Sequence, residues 1–223
     1  MTFGTTATND IRIARALAQR GAPGSFAYAI FVALVSGLTS LGSLEPGKVG
    51  IIFTLSLMTG LFRKHLSRTM ETAYPQNPQK WANSYQLATI SFALNWLALV
   101  FLAMGSFGSG WEMMLVLIVT TGLASGGISA LSSDSRTVVP FLVLIVGGPG
   151  FLFAFLQGTQ HVHISLMLSL YLVYCLAQAR IQNRHYLEEA AKADLLENRA
   201  TNWRWPPERR KWPTKPRGCF WQI

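Results

Sequence analysis

Few residues in this chain combine the type and spacing that chemistry requires. His161 and His163 flank Val162, and a His-x-His pair can hold a metal ion when a third ligand joins it. No Cys, Asp or Glu lies near them in sequence. Two carboxylates, Glu45 and Glu112, lie in the other segments expected outside the membrane, far along the chain, so the pair reads as interfacial histidines. Cys175 falls inside an apolar block and Cys219 near the C-terminus, which makes neither a disulfide framework nor a metal-binding cysteine motif. The glycine-rich pieces Gly105 to Gly110 and Gly147 to Gly150 lack the Lys-Ser/Thr ending and the strand-turn-helix setting of a phosphate-binding loop. No kinase, cyclase, protease or hydrolase motif occurs. No catalytic, cofactor-binding or metal-binding residue is assigned, and no cofactor is expected.

The elements that surround these residues are more informative. The chain has 223 residues, 50% hydrophobic and 13% charged, with a mean hydropathy of +0.30. That composition excludes an ordinary soluble domain and a disordered one. A bilayer core about 30 Å thick takes roughly 20 apolar residues as helix, because every backbone N–H and C=O must be paired within the segment. Six blocks approach this: Ser25 to Leu44, Val49 to Phe62, Tyr85 to Met104, Met113 to Ser133, Val138 to Gln157 and Ile164 to Ala179. The second is short. The polar stretch before the first argues against a cleaved signal peptide.

Loop charge gives an independent test, since Lys and Arg concentrate on the cytoplasmic side. Taken alternately, one set of segments carries Arg12, Arg15, Arg20, Arg63, Lys64, Arg68, Lys80, Arg136, Arg180 and Arg184, and the other carries Lys48 alone. This split places both termini in the cytoplasm and requires an even number of spans, which retains the short second block. Span interiors contain no Asp, Glu, Lys or Arg, which weakens a proton or ion pathway. Asn95, Gln86 and Gln178 are expected to make interhelical hydrogen bonds. Gly122, Gly126 and Ala130, with Ser125 and Ser129 beside them, form a small-residue face that lets two backbones approach closely, within one bundle or between two copies. Gly147, Gly148, Pro149 and Gly150 are expected to kink the fifth span.

After Ala179 the chain continues to Ala200 without Gly or Pro and is rich in helix formers. The sixth span should run on as one helix, with Leu187, Ala191 and Leu195 marking an apolar edge that suits the start of a coiled coil. The fold expected is therefore an all-α, polytopic membrane protein of six transmembrane helices, the last extending into a cytoplasmic signalling helix. Its parts are 1–24, a cytoplasmic N-terminal segment; 25–179, the membrane domain; 180–200, the signalling helix; and 201–223, a basic tail.

Here the residues carry a resemblance. The joint between the fourth and fifth blocks, Gly126-Gly-Ile-Ser-Ala-Leu-Ser-Ser-Asp-Ser-Arg-Thr-Val-Val-Pro140, with Tyr171-Leu-Val-Tyr174, Ala177-Gln-Ala-Arg180 and Leu195-Leu-Glu-Asn-Arg199, resembles the N-terminal membrane domain of bacterial multispan sensor histidine kinases, shared with some diguanylate cyclases. The resemblance covers about Arg12 to Ala200 and rests on spans and junctions, not on a catalytic motif. It implies the membrane sensor or signal-input region of a two-component system, in the bacterial inner membrane, with the bilayer and a second copy of the chain as partners. The phosphoacceptor and ATP-binding domains do not appear in the sequence. A stand-alone membrane transporter or scaffold is the competing class.

The formal charge of +9 would suggest a nucleic-acid partner if it lay on one face. It does not. Residues 201–223 carry six basic residues against one acid, with four Trp and four Pro, where a relative would continue with Ala, Glu, Gln and Lys. One reading of this tail is a membrane-surface anchor. A shift of reading frame is the other. With one nucleotide missing near Thr201, the single Trp codon forces Leu across Asn202/Trp203, Ala across Trp205/Pro206 and Trp212/Pro213, Leu across Phe220/Trp221, and Ala across Trp221/Gln222. The free positions then permit Asn-Gln-Ala-Lys and Phe-Leu-Ala-Asn, similar to the helix that leads into a histidine kinase phosphoacceptor segment. A truncated kinase, and no nucleic-acid partner, is the resulting expectation.

Overall fold

The apolar blocks form helices, and the breaks between helices fall where backbone chemistry demands them. The structure, a computed structural model, describes residues 3–21, 23–108, 110–156 and 159–202. The Trp/Pro-rich tail from Trp203 onward, Cys219 included, lies outside the described residues. Among those described every regular element is helical and none is a strand.

Helix α1 spans Phe3–Gly21, and Ala14, Leu17, Ala18 and Gly21 form its buried stripe at helical spacing. A 3-10 turn, Pro23–Phe26, leads into α2, Ala27–Leu38. At 1.5 Å per residue α2 is about 18 Å long, too short to cross a bilayer alone. Its axis bends by 61° from the preceding Ile11–Gly21 segment. The bend thus precedes the first apolar block, which is itself interrupted between α2 and the following turn. Thr39, whose hydroxyl bonds back to the Val35 carbonyl at 2.7 Å, ends α2, and a single turn α3, Leu41–Leu44, precedes α4.

Helix α4, Pro46–Arg68, starts with proline in its first turn, where no N–H is needed. Its Gly60 faces the Ser25 backbone carbonyl, which a Cβ would strike, so glycine sets this approach of α4 to the start of α2. Helix α5, Met70–Gln76, connects to α6, Pro78–Phe107. The Asn77 side chain caps α6 by accepting from the Lys80 N–H at 3.0 Å. Gly108 ends it with a positive φ of 58°, a backbone conformation open to glycine, its N–H bonded back to the Met104 carbonyl.

Helix α7 is Trp111–Leu131. The carboxylate of Asp134 then accepts from the Arg136 N–H at 3.1 Å and the Thr137 hydroxyl at 2.6 Å, starting α8, Ser135–Leu142. A π-helical turn, Val143–Gly147, joins α8 to α9, Gly148–Ala154. Proline at 149 has no N–H to give, and the Gly148 N–H reaches back to the Val143 carbonyl, so the disturbance expected from sequence takes the form of a wider, π-helical turn. Ser135–Ala154 remains one apolar span. Helix α10, Thr159–Asn202, is a single helix of 44 residues, as its lack of Gly and Pro leads one to expect.

Four helices are long and apolar enough to cross a membrane, and five if the bent α1–α2 pair counts as one. The expected six are not reached among the described residues. The shortfall is α4: at about 35 Å it is long enough, but Lys48, Arg63, Lys64 and Arg68 at its two ends leave only the apolar stretch 49–62. Ile51, Leu55, Met58 and Phe62 nonetheless point outward along it, continuing an exposed apolar surface formed by Ile30, Leu34, Leu94, Phe101, Ile118 and others. Apolar side chains that face outward at this density need hydrocarbon as solvent. Among the described residues the chain is all-helical, with several helices long and apolar enough to cross a membrane, compatible with a multi-pass membrane protein.

Contacts divide it into Met1–Tyr186 and Leu187–Ile223. In the second unit Leu187 and Leu195, read from sequence as an apolar edge, are exposed.

Candidate functional site

Helix α4 buries a stripe of Val49, Ile52, Ser56, Gly60 and Arg63. The last of these is the surprise. Sequence places Arg63 just beyond the second apolar block, among loop cations, yet it is only 4% exposed. Its Nε and Nη2 donate to the Tyr85 hydroxyl at 3.2 and 2.9 Å. Tyr85 in turn donates to the Leu17 carbonyl of α1 at 2.9 Å. The guanidinium lies 5.0 Å from the Tyr85 ring centre and 5.9 Å from that of Phe92. No carboxylate pairs with it among the described residues. A buried cation without a counter-ion is costly; stacking on aromatic faces returns up to about 2 kcal/mol when desolvated.

These rings belong to a longer aromatic column. Tyr74 meets Trp81 edge-on at 5.6 Å, Trp81 stacks on Tyr85 at 5.3 Å, and Phe92 stacks on Tyr28 at 4.5 Å. Tyr28 then meets Trp96 and Phe141 edge-on, each at 6.5 Å. The indole N–H groups are satisfied by the Leu66 carbonyl and the Thr120 hydroxyl at 3.1 and 2.9 Å.

Beside the column lies a cavity of about 280 Å³, walled by Tyr28, Phe31, Arg63 and Phe141 and by α7 from Gly122 to Leu131. The small-residue face read as a close-packing surface is part of this wall. A Cβ on Gly122 or Gly126 would meet nothing within 4 Å, whereas one on Gly127 would strike the Phe141 ring. Within the chain, two of the three glycines therefore create space and one permits contact.

The residues singled out for chemistry are not assembled. His161 stacks on Phe153 at 5.9 Å, and Glu45 pairs with Lys48 at 3.0 Å. The described residues contain no group of three or more His, Cys, Asp or Glu able to share an ion. Cys175 is buried on α10. Gly148 and Gly150 bring the fifth span against Leu97 of α6 and Leu168 of α10.

Polar side chains clasp the helices at their exposed backbone carbonyls. Gln86 donates to the Arg136 carbonyl at 3.2 Å, the group that Pro140, lacking an N–H, leaves without a helical donor. Asn95 and Gln178, expected to do the same, make no such bond among the described residues. On α10, Ser165 donates to the Gly150 carbonyl at 2.8 Å, Tyr171 to the Thr121 carbonyl at 3.0 Å and Asn183 to the Ser132 carbonyl at 2.6 Å. Tyr186 donates to the Arg12 carbonyl at 3.4 Å, and Arg20 sits over its ring at 5.1 Å. Arg15 and Glu71 pair at 3.8 Å between α1 and α5. Basic segments far apart in sequence thus meet around α1.

Comparison with family models, with curated proteins and with solved structures finds no match for this chain.

Proposed function

We propose that the chain is the membrane sensor and signal-input region of a bacterial two-component histidine kinase, with six passes through the inner membrane and both termini cytoplasmic. The reading rests on the sequence resemblance and the charge asymmetry between alternate segments. The observation that carries it furthest is α10, one helix from Thr159 to Asn202. Only 17% of its apolar window is buried, against 39–50% for the other three qualifying spans. A helix attached by a few side chains, from Ser165 to Tyr186, can rotate or slide on the bundle at small cost, while its unbroken backbone transmits the change. Signal input requires both properties. Catalysis would reside in phosphoacceptor and ATP-binding domains joined to this helix, and dimerisation would use α10 and its membrane neighbours.

The test is a fusion of Met1 to Ala200 to an intact kinase core, with one to seven residues inserted after Tyr186. Each inserted residue turns the helix by about 100°. Autophosphorylation should rise and fall with the period of a helix. A flat series, together with substrate flux in vesicles containing only this protein, would replace the proposal with a stand-alone transporter.

A further inference from the structure

The cavity beside Arg63 has a chemical signature of its own. Its walls are aromatic, aliphatic or glycine, and two polar side chains reach it, Arg63 and Tyr28. A guanidinium carries more N–H donors than one hydroxyl can accept, and the Tyr85 oxygen takes both bonds that Arg63 makes. Its remaining donors have no partner among the described residues, and the Tyr28 hydroxyl, on a side chain 6% exposed, has none either. Two donors on largely buried residues, one of them a full positive charge, thus open onto an apolar space with no acceptor facing them. Unpaired donors and uncompensated charge in such surroundings call for an acceptor that carries negative charge.

From this geometry we infer that the cavity binds a small amphiphilic monoanion, its head on the Arg63 guanidinium and the Tyr28 hydroxyl and its apolar part between Tyr28, Phe31 and Phe141 against the glycine face of α7. The volume, about 280 Å³, lies near the lower end of small-molecule pockets and suits a short-chain carboxylate or one acyl chain of an anionic lipid. A neutral ligand would leave the Arg63 charge uncompensated, and a cation would be repelled by it. Gly122 and Gly126 line the space, and a Cβ on either would meet nothing within 4 Å. The inference concerns a binding site and stands whether or not the chain passes its signal to a kinase.

Full-length protein in phosphatidylcholine nanodiscs is titrated with octanoate, 1-octanol and octylammonium, and the thermal unfolding midpoint is followed. Octanoate should raise the midpoint saturably at concentrations at least tenfold below those at which octanol has any effect, and octylammonium should not raise it. A parallel sample in phosphatidylglycerol nanodiscs without octanoate distinguishes the source, since an anionic lipid that fills the site should raise the midpoint and remove the octanoate response. Arg63→Gln and Tyr28→Phe should weaken octanoate binding by tenfold or more. Because Arg63→Gln could also disturb folding, Gly126→Leu serves as the second variant. It fills the space, retains Arg63 and Tyr28, and should abolish the response while the protein remains folded. Equal effects of octanol and octanoate, or an octanoate response unchanged in folded Gly126→Leu protein, overturn the inference, as does the absence of any effect of both octanoate and phosphatidylglycerol.

Discussion

Arg63 and Lys64 are neighbours in sequence with different fates. Lys64 keeps partial exposure and places its ammonium 5.1 Å from the Phe26 ring, whereas Arg63 turns inward onto Tyr85. The sequence could have revealed this through Ile52, Ser56, Gly60 and Arg63, which continue one helical stripe past the apolar block. The charge count hid it, because Arg63 helps the sidedness argument wherever its side chain points. Replacing Tyr85 by Phe removes the acceptor but not the cation, and should lower stability by about 1–3 kcal/mol. The readout is the temperature at which buried Cys175 reacts with a fluorogenic maleimide in a Cys219→Ser background. Adjacent glycines give a sharper contrast. Gly126→Ala should stabilise by up to about 1 kcal/mol, since alanine favours helix and meets nothing. Gly127→Ala should destabilise in the same assay, because the new methyl strikes the Phe141 ring. The pattern Gly-x-x-x-Gly told where small residues stood; whether they face a neighbour or an empty space depends on helix rotation, which spacing does not specify.

Helix existence was well marked and helix boundaries less so. The third and sixth blocks each became a helix that overran the apolar residues, because polar caps such as Asn77 and uninterrupted helix formers extend a helix beyond the membrane-like part, whereas the fourth matched its block to within two residues at each end. Pro149 was correctly read as a disturbance, but the response, a π-helical turn at Val143–Gly147, depends on which carbonyls can share the remaining donors. For α4 the question is whether it crosses. Lys48 and Arg68 bracket its apolar face, and if α4 spans, a cysteine at 48 should react with an impermeant maleimide in intact spheroplasts while one at 68 reacts only after permeabilisation. In the Cys219→Ser background the remaining native thiol, Cys175, is buried and should stay silent. Labelling of both positions from the same side would reduce α4 to a re-entrant element and change the span count.

At the scale of the whole molecule, the net charge of +9 separates into a body whose cations are sorted between alternate segments and a tail that holds more than half of the excess. Membrane character was legible because hydrophobicity summed over about twenty residues is insensitive to single errors. Long-range clasps were not legible, because a Tyr or Asn that reaches a carbonyl fifty residues away leaves no periodic trace. The outward apolar surface predicts that alkaline carbonate washing will leave the chain in the membrane pellet, and that its removal from lipid or detergent will cause aggregation. Recovery in the soluble fraction would contradict the assignment of that surface to lipid.

The N-terminal helix has a consequence for how the protein is made. Leu17 is held by Tyr85, 68 residues later, and Arg12 by Tyr186, 174 residues later. Helix α1 therefore waits for both α6 and α10 before these two bonds can be completed. Docking of α1 is thus a late, long-range step, and until α4, α5 and α7 are in place the stripe of Ala14, Leu17 and Ala18 is available to chaperones, quality-control proteases or the membrane surface.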